Sequence, residues 1–216
     1  MSLLSRSRES IANLFFDWDG TLFDSEKAGL IAFQKTFDDL GIVFTTEFYE
    51  SRYSPNWYSM YEALSLPKDQ WKTADNIWLQ HYGEQPPRLV DGAAETIDEL
   101  HKKGYRLGIV TSGTHRRVQR ELVQLGLTTV FEAVICNEHI TNKKPHPEGL
   151  TKAMKMLDAT AESSIYVGDA PEDVRMGKSA NVYTVGVRSA YPTSRNLADE
   201  NPDLFLDRIS ELVLHF

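Results

Sequence analysis

The chain predicts an α/β fold, a Rossmann-like parallel sheet with an inserted α-helical domain. Two observations carry this: apolar runs that end abruptly in polar loops recur along the chain, and one stretch breaks that rhythm with helical periodicity alone. The first run is Leu14-Phe15-Phe16, stopping at Asp17-Trp18-Asp19-Gly20-Thr21. It reads as a buried strand entering a loop. The same pattern returns at 105–110 before Thr111-Ser112-Gly113, at 133–136 before Asn137-Glu138, and at 164–167 before Gly168-Asp169. Helical patterns over 93–103, 116–125, 148–157 and 172–179 separate these runs. Alternation of this kind implies right-handed crossovers and a parallel sheet, whose strand carboxyl ends gather ligands.

Between about Ser25 and Pro87 no strand pattern is visible. Ala28, Ile31, Ala32, Phe33 and Phe37 suit one helix. Trp57, Met60, Tyr61 and Leu64 suit a second, and Trp71, Ile77, Trp78 and Tyr82 a third. Three of the four tryptophans fall here, and core packing is the plain reading of these aromatics. The expected division is therefore a catalytic core of residues 1–23 and 88–216 and a helical domain of 24–87, hinged near Asp24-Ser25 and Pro86-Pro87.

A formal net charge of −8 argues against a general nucleic-acid binder, which would carry a basic stripe. It leaves room for an anionic substrate, because a metal and a few cations reverse the field inside one cleft. A single cysteine, Cys136, sits in Ala-Val-Ile-Cys and reads as a buried structural thiol; no intramolecular disulfide is possible, and a reducing cytoplasm is the natural compartment. No stretch reaches the roughly 18–20 apolar residues of a membrane span. Asn13, Asp17 and Asp19 interrupt the segment after Arg6 and Arg8, so no signal peptide is evident.

Two carboxylates two residues apart after a strand, Asp17 and Asp19, make either a turn cluster or a reactive pair. Three further signatures accompany them in order: Thr111 closing Ile109-Val110-Thr111-Ser112-Gly113, Lys144 in Lys143-Lys144-Pro145-His146-Pro147, and Asp169 with Asp173 in Gly168-Asp169-Ala170-Pro171-Glu172-Asp173. With these four motifs the chain resembles the haloacid dehalogenase superfamily, in particular its phosphatase-like members with a helical cap inserted after the first motif.

The resemblance implies a phosphomonoester hydrolase in which Asp17 takes the phosphoryl group as an aspartyl-phosphate. It implies Mg²⁺ held by Asp17, the backbone carbonyl of Asp19 and Asp169, with Asp173 orienting metal-bound water. Asp19 is implied as general acid and then base, Thr111 with the amides of Ser112 and Gly113 as phosphoryl binders, and Lys144, which precedes a proline as the family's lysine does, as the ammonium beside Asp17. The chemistry is sound on its own terms. A carboxylate splits one very slow hydrolysis into two steps, a divalent cation and an ammonium offset the repulsion between anions, and proton transfer contributes about 10²–10⁴-fold.

In the helical domain, Arg52 and Trp57-Tyr58 are candidates for substrate specificity, since arginine suits a second anionic group. His146 reads as a loop histidine. His115, Arg116 and Arg117 either draw an anion to a helix start or form a solvated helix face. The family resemblance implies an aliphatic residue where Trp18 stands, and a glycine-containing cap loop where residues 51–56 stand. A small phosphorylated metabolite is the expected substrate.

Competing readings are a phosphosugar mutase, which needs a companion cation that is not evident near Arg52, and a non-catalytic binding protein on the same fold. Carbon–halogen and phosphonate cleavage are opposed by Asp19.

Overall fold

Six parallel strands are built from the runs described above and from two more: β1 (Asn13–Phe16), β2 (Arg106–Val110), β3 (Phe131–Ile135), β4 (Ser164–Gly168), β5 (Tyr183–Val187) and β6 (Leu204–Leu206). Their order is β3-β2-β1-β4-β5-β6, so the chain reverses direction across the sheet beside β1. In such sheets ligands collect beyond the strand ends at that reversal. Leu14, Phe15 and Phe16 are fully buried, each contributing about 1.5–3 kcal/mol by leaving water. Phe16 pairs with Ile109 of β2 and Val167 of β4. The two strands nearest β1 therefore deliver their following loops to the level of Asp17.

This computed structural model describes residues 11–54 and 57–216. The sheet belongs to a unit formed by the chain up to Asp24 and by Pro87–Phe216, with helices α5 (Ala93–Lys102), α6 (His115–Gln124), α7 (Glu148–Met156) and α8 (Pro171–Ser179). Helix α7 packs on β2 and β3, and α8 on β4 and β5. Strands β5 and β6 have no counterpart in the sequence reading. The first is a five-residue, wholly buried Tyr-Thr-Val-Gly-Val, and the second has only three residues. Cys136 is buried, and burial pushes its thiol up to about 12, as suits an inert packing residue.

The second unit, Ser25–Pro86, is helical: α1 (Glu26–Asp39), α2 (Thr46–Arg52), α3 (Tyr58–Ala63) and α4 (Trp71–Gly83). Its core holds Phe33, Phe37, Tyr49, Met60, Tyr61, Leu66 and Ala74, with Trp57, Trp71 and Trp78 packed around them. Helix α2 escaped the sequence reading because it is seven residues long; Thr45 caps it by accepting from the Phe48 amide at 3.1 Å. Arg6, Arg8, Pro55 and Asn56 lie outside the described residues. No helix among the described residues is long and apolar enough to cross a membrane.

Candidate active site

Asp17 follows β1 directly, and its amide donates to the Val167 carbonyl of β4 at 2.8 Å. Asp169 follows β4 and Asp173 lies in the first turn of α8. The three carboxylates bring ligand atoms within 4.8 Å of one another, and all three are buried. Lys144 enters the same space, its ammonium 2.5 Å from Asp17 Oδ1 and 2.8 Å from Asp173 Oδ1. It also lies 5.4 Å from the ring centre of Tyr166, whose electron-rich face favours a cation. Lys143, its neighbour, is exposed.

Three acids and one ammonium leave two negative charges uncompensated in a buried space. Their titration reflects this. Burial pushes the Asp17 carboxyl well above the usual range, with Asp173, Asp169 and Asp19 adding to the effect and Lys144 opposing it. Burial and Asp173 raise Asp169 to about 7, against the hydrogen bonds it accepts from Ser189 and Thr21. Burial works against the Lys144 ammonium, but Asp17 and Asp173 outweigh it, so the lysine stays protonated. A set of hard carboxylate oxygens with an excess charge of two suits a divalent cation of the magnesium type.

Asp173 is the most heavily engaged of the three. Besides Lys144, its Oδ2 accepts from the Ala170 amide at 3.0 Å, and its Oδ1 lies 3.2 Å from the Tyr166 hydroxyl. That leaves Asp17 and Asp169 as the better-placed carboxylates for an ion. Asp169 is oriented by Thr21, which donates to Oδ1 at 3.0 Å, and by Ser189, which donates to Oδ2 at 2.6 Å. Gly20, at φ +84°, permits this approach: a side chain there would meet Asp169 Oδ2 and the Tyr191 ring.

The Asp19 carboxylate is held by Arg117 of α6. Nη1 donates to Oδ1 at 2.9 Å and Nη2 to Oδ2, a two-pronged pairing. Behind it, Nη1 also donates to both oxygens of Glu121 at 3.2 Å, and Trp18 Nε1 donates to Glu121 Oε2 at 2.8 Å. Burial raises the Glu121 carboxyl, with Arg117 opposing. Arg117 is thus neither a solvated residue nor an open anion attractor. The first amide of α6, that of His115, is taken by Glu138 Oε2 at 2.9 Å, while the His115 and Arg116 side chains are exposed. The bulk of Trp18 also finds its place here, stacked on Phe23 with ring centres 5.3 Å apart.

Thr111 is buried at the end of β2, where its hydroxyl accepts from the Gly113 amide at 3.0 Å. The Gly113 amide is therefore committed inside the loop. Ser112 is partly exposed. The Lys144 loop is pinned by Glu148, which accepts from the amides of Thr141 and Asn142 at 3.1 and 2.8 Å and from Lys152 at 2.7 Å. His146 Nδ1 accepts from the Glu148 amide at 3.2 Å, a local turn contact. In the helical unit, Arg52 ends α2 with its side chain exposed. Trp57 and Tyr58 donate to Asp75 at 3.1 and 2.9 Å, so both polar tips serve that unit's own structure.

Sequence reasoning passed over Ser189, Tyr166, Glu121 and Glu148. The i, i+4 spacings of Arg117 with Glu121 and of Glu148 with Lys152 were available as local signals.

Residues 14–187 match the family model of the haloacid dehalogenase-like hydrolases. Pyrophosphatase PpaX of Listeria monocytogenes is 31% identical over 206 residues, covering 94% of this chain and 95% of that protein. A phosphoglycolate phosphatase of Colwellia psychrerythraea is 30% identical over 214 residues, covering 93% and 95%. The crystal structure of a predicted phosphoglycolate phosphatase from Haemophilus somnus superimposes with a TM-score of 0.85 at 21% identity, covering 95% and 98% of the two chains. The chain belongs to the haloacid dehalogenase-like hydrolases, on their phosphatase-like side.

Proposed function

We propose that the chain is a Mg²⁺-dependent phosphomonoester hydrolase that acts on a small phosphorylated metabolite through an aspartyl-phosphate on Asp17. One observation carries the reading: a buried ammonium, Lys144, lies on Asp17 in a space where Asp169 and Asp173 leave an excess of negative charge. Asp17 and Asp169 would hold the ion with the Asp19 carbonyl. When bound, it supplies charge neutralisation that lets an anionic ester approach.

An Asp17 oxygen attacks phosphorus, and the bond to the leaving oxygen breaks. Asp19 gives that oxygen a proton, then takes one from the water whose oxygen attacks phosphorus and frees Asp17. Lys144 damps charge on Asp17 and on the phosphoryl group as the new bond forms. Thr111, with the Ser112 amide, is the candidate phosphoryl binder. The Thr111 hydroxyl already accepts from Gly113 and so has its proton to donate. Asp173 acts by holding Lys144.

The helical unit, Ser25–Pro86, interrupts the chain shortly after the Asp17–Thr21 loop, where a cap that gates substrate entry would be inserted. Arg52 is its candidate anion contact. The named relatives make pyrophosphate and phosphoglycolate the first substrates to try, beside sugar phosphates. The single buried cysteine fits a reducing cytoplasm.

The test is phosphate release from a metabolite panel with and without Mg²⁺, using Asp17→Asn as control. Asp173 still pairs with Lys144 in this variant, so it should fold, which a thermal melt checks. It releases no phosphate; turnover equal to the parent enzyme overturns the mechanism.

A further inference from the structure

Four side chains in the core unit form a chain of contacts that the general reaction scheme leaves unused: Trp18 to Glu121, Glu121 to Arg117, and Arg117 to Asp19. We propose that Arg117 is the positioning residue for the Asp19 carboxyl, and that Trp18 and Glu121 hold Arg117 in place. The inference rests on the reading of Asp19 as the proton-transfer group.

Four observations support it. The guanidinium meets both Asp19 oxygens, which fixes the plane of the carboxyl and not merely its distance. The Arg117 side chain is 9% exposed and the Glu121 side chain 1%, so neither is a surface pair that solvent would loosen. Room has also been left for the guanidinium: a side chain at Gly113 would collide with Arg117 Nη2. Among the described residues, the Glu121 oxygens go to Arg117 and to the indole of Trp18, a residue with no exposure at all.

Proton delivery matters most when the departing oxygen is a poor leaving group. Holding Asp19 should therefore count for alkyl phosphates and hardly at all for 4-nitrophenyl phosphate. The experiment measures kcat/KM, which reports the steps through the first P–O cleavage, for 4-nitrophenyl phosphate, phenyl phosphate and an alkyl phosphate in Mg²⁺. The proteins are the parent, Arg117→Ala, Arg117→Lys and Glu121→Gln.

The expected result for Arg117→Ala is a loss of about 30-fold or more on the alkyl ester, within the 10²–10⁴-fold span of proton-transfer catalysis, against less than about threefold on the nitrophenyl ester. Arg117→Lys keeps the charge but not the fork and shows the same tilt; Glu121→Gln shows it more weakly. Millimolar guanidinium restores part of the alkyl activity of Arg117→Ala. Should Arg117→Ala fail to fold, Arg117→Lys decides. Equal losses across the three esters, no loss, or a gain overturns the proposal. Turnover by Asp17→Asn instead overturns the hydrolase reading itself, whatever the leaving-group pattern.

Discussion

The Ser189 hydroxyl donates to Asp169 Oδ2 across 2.6 Å, so a residue beyond the end of β5 aims the carboxylate that follows β4. Thr21 serves the other oxygen from the loop after β1. Outer partners of metal ligands commonly contribute about 10–100-fold in metal affinity or activity. Ser189→Ala should therefore raise the Mg²⁺ concentration for half-maximal phosphate release about tenfold, while activity at saturating Mg²⁺ stays within about threefold of the parent. A Mg²⁺ titration at fixed substrate checks this, and an unchanged midpoint rejects the orienting role.

The crowding of acids sets a pH dependence. Asp169 has an ordinary value of 3.8 and is raised to about 7 in the folded chain. A raised carboxyl pKa means the folded protein holds its proton more tightly than the unfolded one. The stability associated with that proton is complete below 3.8 and is lost as pH rises through about 7. Without metal, the melting temperature should fall between about pH 4 and 7, the span between the two values. The increment given by Mg²⁺ should grow over the same range, because the ion binds the ionised acids. Asp169→Asn should flatten the metal-free slope. Thermal melts with and without Mg²⁺ across that range read all three effects, and a metal-free melting temperature that rises with pH contradicts them.

The features legible in the sequence had short range. Leu14-Phe15-Phe16 ending in Asp17 announces a strand and its loop because burial on both faces demands a continuous apolar run. The strand preceding Asp169 announces itself in the same way. Parallel order then brings Asp17 and Asp169 to one edge of the sheet. The missing parts depend on long-range meetings without a local pattern: Trp18 meets Glu121 across 103 positions, and Ser189 meets Asp169 across 20. Arg117 had two open readings because an arginine in the first turn of a helix looks the same whether it faces water or a buried acid. β6, with three residues, is below the length at which alternation or an apolar run can be recognised.

Gly20 stands at φ +84°, in the left-handed region, with Asp169 Oδ2 and the Tyr191 ring where a side chain would begin. Gly20→Ala adds about 1–2 kcal/mol of backbone strain and forces Asp169 or Tyr191 aside. It should lower the melting temperature by several degrees and weaken Mg²⁺ activation more than Ser189→Ala does. Comparing the two variants in one Mg²⁺ titration is the check; a Gly20→Ala midpoint equal to that of the parent would show that the close approach is dispensable.

Asp75 decides whether the helical unit holds its shape. Its two oxygens accept from Trp57 Nε1 at 3.1 Å, Tyr58 at 2.9 Å and Tyr61 at 3.1 Å. Tyr58 is in turn stacked on Trp71, with ring centres 4.7 Å apart. One acid on α4 thus fastens Trp57 and both tyrosines of α3, a job that apolar packing cannot do because each ring presents a polar tip. Asp75→Ala strands three donors, and a buried donor left without a partner costs about 1–3 kcal/mol. Trp57 and Tyr58 are only partly buried while Tyr61 is fully buried, so the total should come to about 3 kcal/mol. Asp75→Asn keeps the two acceptor directions of one oxygen and should lose about half as much. Because Asp75 is in the helical unit and the acids are in the other, metal-linked stabilisation of the core should persist in Asp75→Ala. The near-ultraviolet signal of the tryptophans, followed during denaturation, should instead shift to lower denaturant. Proteolysis within 25–86 should quicken, while the core fragment survives. Loss of both units in a single unchanged transition would contradict a local role for Asp75.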